Sequence, residues 1–146
     1  DWDYLRGGWL EERLFLALES VLPETSDISL GIQSQVDGNP NEYDVLATFE
    51  NVLYVVECKS LQAPEGSEKE VGGTINDFLY KLGALRQNFG LTPRGILATT
   101  SRNVLDERDR LKRHLEDRGR LFNTRILPLW QIEEPEGWLK ENVFKI

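Results

Sequence analysis

Two acidic clusters stand where apolar runs begin and end. Asn41-Glu42-Tyr43-Asp44 leads into Val45-Leu46-Ala47-Thr48-Phe49, and thirteen residues after Asp44 the run Leu53-Tyr54-Val55-Val56 closes with Glu57-Cys58-Lys59. If that second run is a strand, its period of two puts Glu57 and Lys59 on one face and Cys58 on the other. An acid and an amine at the end of an apolar strand are costly unless paired or bound to a metal. Two carboxylates converging beside a lysine suit divalent-metal hydrolysis of a phosphodiester. A third acid, Glu11, shares a helical face with Leu14, Phe15 and Leu18. Its neighbour Glu12 is turned about 100° away. A first-turn glutamate is also favoured by the helix dipole, so periodicity leaves two questions open. Glu11 is either a site acid or a capping one, and either Glu11 or Glu12 faces the site.

The elements that must position these groups read as follows. Leu10, Leu14, Ala17, Leu18 and Val21 recur at helical spacing over 9–22, between Gly7-Gly8 and Pro23. Strands are expected over 28–36, 43–49 and 52–59, with a turn at Asp37-Gly38-Asn39-Pro40 and a tight connection at Glu50-Asn51. The polar, glycine-rich stretch 62–74 reads as a long loop. A second helix is expected over 75–89, with Phe78, Leu82, Leu85 and Phe89 buried and Gly90 as its stop. Then come a strand at 94–100, a third helix from Asn103 to Arg118 ended by Gly119, a strand at 125–129 and a short closing helix. The order αβββαβαβ predicts an α/β fold with a mixed central sheet flanked by helices.

Composition bounds the rest. With 146 residues and 40% hydrophobic content, the chain suits one core rather than two. A lone cysteine, Cys58, excludes an intrachain disulfide and points to a reducing, cytoplasmic setting. No stretch has the length and apolarity of a membrane span. Absence of any methionine, even at position 1, suggests the excised C-terminal part of a longer protein. Net charge is −8, which disfavours a nucleic-acid partner overall. Between Arg102 and Arg125, however, eight Lys or Arg stand against five acids. That segment is either a solvated helix laced with i,i+4 pairs such as Asp109–Arg113 or a nucleic-acid wall carried by Arg102, Arg108, Arg110 and Arg113.

Zinc spacing and a histidine placed for nucleophilic catalysis are both missing, since His114 is the only histidine and reads as a surface residue. Cys58 reads as a buried strand residue. Trp2, Trp9, Trp130 and Trp138 have rings that could stack on bases, though Trp9 fits the core better.

Glu11 in the first helix, Asp44 at the second strand and Glu57-x-Lys59 ending the third resemble the core of the PD-(D/E)xK nuclease superfamily. Gly8-Trp9-Leu10-Glu11 and Asn41-Glu42-Tyr43-Asp44-Val45 … Glu57-Cys58-Lys59 resemble, more narrowly, the nuclease domain of CRISPR ancillary effectors, in which it follows a cyclic-oligoadenylate-sensing CARF domain. The likeness covers roughly residues 5–100. Tyr43 stands where the superfamily's name has proline. The resemblance implies a restriction-endonuclease-like core and a metal-dependent endonuclease of antiviral defence acting on single-stranded DNA or RNA. In it Asp44, Glu57 and the Cys58 main-chain carbonyl would hold Mg²⁺ or Mn²⁺, with Glu11 completing the site. Lys59 would orient the attacking water, and Lys81 is a further candidate at the site or on the nucleic acid, unless it only pairs with Asp77. A fused CARF domain, absent from this chain, and a homodimer are the implied partners. A restriction-, repair- or resolvase-type DNA nuclease, and a catalytically silent nucleic-acid-binding or assembly domain, remain alternatives.

Overall fold

In the computed structural model, which describes residues 8–36, 39–60 and 68–146, one five-stranded sheet separates two layers of helix. The elements are α1 (Trp9–Val21), β1 (Ile28–Val36), β2 (Asn39–Phe49), β3 (Val52–Lys59), α2 (Glu68–Phe89), β4 (Arg94–Thr99), α3 (Arg113–Leu121), β5 (Thr124–Leu127) and α4 (Pro135–Leu139). This is the expected αβββαβαβ order. The strands lie in chain order: β1–β2–β3 are antiparallel, while β3–β4–β5 are parallel. The parallel half exists because α2 and α3 carry the chain back across the sheet between strands.

Each face has its own core. Leu10, Leu14, Ala17 and Leu18 of α1 pack on Val45, Val56, Ile96 and Ala98, with Leu139 and Phe144 closing that side. On the other face Ile75, Phe78, Leu82 and Leu85 of α2 cover Val55, Leu97 and Ile126. Gly95 lets α2 come this close, since a Cβ there would meet Leu82 Cδ1 at 2.8 Å and Phe78 Cε2 at 2.9 Å.

Several expectations need correction. Helix α2 starts at Glu68, inside the stretch read as a loop over 62–74, of which 62–67 lie outside the described residues. Phe89 is 52% exposed rather than part of the buried stripe. Asn39 and Pro40 already belong to β2, pairing with Val36 and Gln35, so of the expected turn only Asp37 and Gly38 remain, outside the described residues. The last strand is Thr124–Leu127, shifted one to two residues from the expected 125–129.

The largest departure is the helix expected over 103–118. The chain instead makes a 3₁₀ turn at Arg102–Val104, then a tight loop closed by the Leu105–Leu111 bridge, and only at Arg113 begins α3. The Asp106 carboxylate accepts the backbone N–H groups of Arg108 (2.8 Å) and Arg110 (3.0 Å), and Asp109 adopts a left-handed φ of 57°. A side chain that captures backbone donors in this way competes with helix formation. Gly119 does not stop α3 but lies inside it, buried where a Cβ would stand 2.8 Å from the Thr124 carbonyl oxygen.

Candidate active site

The site begins with a parting of strands. The β2–β3 ladder runs from Phe49–Val52 to Val45–Val56 and stops there, although both strands continue. The next backbone donor in line, the Cys58 N–H, is taken by the Asp44 side chain, whose Oδ2 lies 2.7 Å away. Asp44 thus occupies the gap as a wedge between β2 and β3.

Opposite Asp44 in the β1–β2 register stands Gly31, between the pairs Leu30–Val45 and Ile32–Tyr43, with φ +64°. That backbone conformation costs an L-residue but not glycine. Side-chain alternation breaks at the same point. Val45 packs in the α1-side core, whereas Tyr43, two residues earlier, packs in the α2-side core. The Tyr43 hydroxyl is buried without a hydrogen-bond partner among the described residues.

Glu57 sits on the α2 face, where Lys81 Nζ donates to Oε1 at 3.1 Å and Oε2 at 3.2 Å and also to the Glu42 carbonyl oxygen at 3.1 Å. With side chains 26% (Lys81) and 18% (Glu57) exposed, the pair is sheltered rather than a surface bridge. Lys81 therefore pairs with Glu57, not with Asp77, the i,i+4 partner that periodicity offered.

Lys59, at the end of β3, is exposed and makes no side-chain ion pair with a described residue, while its field still lowers the pKa of Glu57. Its carbonyl accepts the Thr100 N–H at 3.2 Å, which ties the strand end to the exit of β4. Cys58 packs against the α1-side core, away from Glu57. Burial first, then Asp44, Glu11 and Glu57, hold its thiol well above the usual range, so it is no nucleophile.

Glu11 brings in the third carboxylate. Its pKa is pushed up to about 7, first by burial, then by the charges of Asp44 and Glu42, then by a side-chain hydrogen bond with Asp44. Asp44 and Glu57 are also raised. Burial is the main cause in both, opposed for Asp44 mainly by the Cys58 N–H and reinforced for Glu57 by Asp44. Glu12 is exposed, so Glu11 is the acid that faces the site. Sequence reasoning assigned no role to Glu42, whose carbonyl holds Lys81 and whose charge acts on both Glu11 and Asp44. Its position two residues before Asp44 was the available signal.

The donor set suits a hard divalent cation: carboxylate oxygens only, with more negative charge than Lys81 and Lys59 offset. Among the described residues, no group of three or more Asp, Glu, His or Cys side chains is close enough together to form a ready-made metal nest. The carboxylates share one field without yet converging.

The basic residues divide. Arg102 and Arg110 border a hollow that also includes Trp9, whereas Arg108 and Arg113 do not. Arg113 faces Asp117 at 3.9 Å on an exposed surface. His114 is exposed. Among the described residues no helix is long and apolar enough to cross a membrane.

Residues 2–122 match the family model described as "Card1-like, endonuclease domain". No curated protein matches the chain. Among solved structures, the fold is similar to Can2 from Sulfobacillus thermosulfidooxidans, a structure in complex with cyclic tetra-adenylate, at TM-score 0.65 and 19% identity, covering 95% of this chain and 38% of that one. It is also similar to protein VC1899 from Vibrio cholerae (TM-score 0.54, 20% identity, 90% of this chain and 31% of that one) and to the protein of unknown function AF1548 (TM-score 0.53, 15% identity, 87% and 61%). The chain spans less than two thirds of each of these proteins. The family match takes in α1, the Asp44 wedge, the end of β3 and Lys81 alike, and the chain belongs to the Card1-like endonuclease domain family.

Proposed function

We propose that this domain is a divalent-metal-dependent endonuclease for single-stranded DNA or RNA, working as the cutting module of a CRISPR ancillary effector. The observation that carries this reading is the Asp44 wedge at the open end of the β2–β3 ladder, with Glu11 and Glu57 within its field and all three carboxyls raised chiefly by burial. Asp44 and Glu57 would hold Mg²⁺ or Mn²⁺, with the Cys58 carbonyl and Glu11 available to complete the set. Bound there, the ion would acidify a water and neutralise charge on the scissile phosphate.

The chain's own residues do the rest. Lys81, by gripping both oxygens of Glu57, fixes the orientation of that carboxylate. Exposed Lys59 reaches outward to orient the attacking water and to stabilise charge developing on the phosphate oxygens. Glu11, whose carboxyl pKa is pushed up to about 7 chiefly by burial and by Asp44, can take up a proton close to Asp44.

Calorimetric titration with Mn²⁺ tests the reading without relying on catalysis. Binding is expected for the natural chain and should be lost in Glu57→Ala. Equal Mn²⁺ binding by both proteins would sink the assignment.

A further inference from the structure

Three hollows line up along the β5 edge of the sheet. The first, about 280 Å³, lies where β4 and β5 begin and is walled by Arg94, Arg120, Arg125 and Lys145, with no carboxylate among the described residues that line it. A second, about 170 Å³, shares Arg120, Thr124, Arg125 and Asn142 with the first and adds Trp130 and Trp138. The third, about 1140 Å³, takes up Trp130 again and ends among Trp9, Arg13, Arg102 and Arg110. The first two share four residues and the second and third share Trp130, so the three adjoin in sequence and are taken together as one groove.

The far end of this groove lies at the same end of the sheet as the carboxylate site, though none of that site's carboxylates lines it. Lys59 pairs in register with Thr99, and Arg102 follows just beyond that strand end. Trp9 and Glu11, two residues apart on α1, project from opposite flanks of its first turn. From Arg94 to the exit of β4 the groove runs about 20 Å.

Its chemistry is unlike that of the rest of the molecule. Among the described residues seven cationic side chains line it against three carboxylates, with Arg13 and Arg110 also paired to Glu136 and Asp106, which do not line it, in a protein of net charge −8. Of those three, Glu116 is bound by Arg120, and beside Glu133 the Arg13 guanidinium is tied to Glu136 and the Glu133 carbonyl. Trp130 is 56% exposed, an open ring between the two cationic ends. Aromatic rings interleaved with cations along a channel are what a flexible, unpaired strand of nucleic acid requires, because bases stack on the rings while phosphates follow the charges.

We propose that this groove is the track for single-stranded nucleic acid, leading the strand along the β5 edge and across the start of α1 to the carboxylates. The proposal rests on the nuclease reading for its direction of travel but not for its binding chemistry.

The test measures anisotropy of a labelled oligothymidylate in EDTA, with thermal melting of each variant as a control on folding. Trp130→Ala should weaken binding roughly tenfold, the loss expected for one stacked base. The Arg94→Ala/Lys145→Ala pair should weaken binding and lower the salt slope by about one to two units. This pair decides the matter if Trp130→Ala fails to fold. With metal present, both variants should raise KM more on long strands than on oligonucleotides too short to reach the groove. Natural affinity and salt slope in the folded variants would overturn the track, as would failure of the natural chain to bind. Variants that shift only the sedimentation of the protein, leaving oligonucleotide affinity intact, would make the groove a contact between copies and overturn it likewise. Unchanged cleavage by Glu57→Ala would instead remove the nuclease reading, while the EDTA arm would still decide the groove.

Discussion

The parting end of β2 and β3 and the outer edge at β5 are opposites built on one sheet. At the first, Glu11, Asp44 and Glu57 share one field in which burial above all raises the pKa of each, Asp44 repelling Glu11 and Glu57 while Glu42 repels Asp44. Along the second, Arg94, Arg120, Arg125 and Lys145 gather with few acids among them. A polyanion is repelled by the first region and attracted by the second. The difference teaches that holding the substrate and cutting it can be assigned to separate parts of the fold, so an acidic protein need not be basic overall to handle nucleic acid.

Breaking the acidic pole should have the largest effect. Asp44→Ala and Glu57→Ala are expected to bring metal-dependent cleavage down to background while the proteins stay folded, because relief of a buried acid is offset by the partner each leaves behind, the Cys58 N–H or Lys81. Rates of oligonucleotide cleavage and thermal melts check this together. The two lysines sharpen the comparison further. Lys59→Ala should cost ~10²–10³ in rate, as loss of a charge-stabilising group does, with little change in stability. Lys81→Ala should instead cost about 1–3 kcal/mol of stability in urea unfolding, since it strips charged hydrogen bonds from Glu57.

A smaller effect concerns pH. In the folded, ion-free protein Glu11 keeps its proton up to about pH 7, whereas in the unfolded chain it releases it near 4.5. The folded state therefore binds more protons between these values, and stability falls as pH rises through that window. Melting should be highest at the acid end of the window, and the slope should flatten in Glu11→Gln. Asp44 and Glu57, raised in the same direction, will leave part of it. Smallest of all, Arg108→Ala and Arg113→Ala should leave oligonucleotide affinity within about twofold in the EDTA assay, because both are exposed and neither lines the groove.

Much of this was legible in the sequence. Alternation over 28–36 and 52–59 marked β1 and β3 to the residue, and helical spacing placed α1 within one. Asp44, Glu57 and Glu11 stood out because acids beside apolar runs are costly. What periodicity could not carry was anything decided at long range or by a single side chain. Val104, Leu105, Leu111 and Leu115 mimic a helical stripe, but the Asp106 carboxylate, capturing two backbone donors, together with the Leu105–Leu111 bridge holds the chain in a loop. Lys81 has a local partner four residues away and a distant one 24 residues away, and the distant one wins because the tertiary fold brings it within 3.1 Å in a sheltered position. Of the cations that line the hollows, Arg102 and Arg110 belong to the basic run singled out in the sequence, while Arg94 and Lys145 come from outside it.

The bond from Cys58 N–H to Asp44 gives the site its own reporter. A ladder amide is protected from solvent exchange by a neighbouring main chain, which no side-chain substitution removes. This one amide is protected by a carboxylate, so its exchange rate and nitrogen chemical shift should follow the condition of Asp44 alone. Protonation, substitution by Asn or capture of the carboxylate by a cation would each leave a separate signature at one resonance, read in the resting protein with no substrate present.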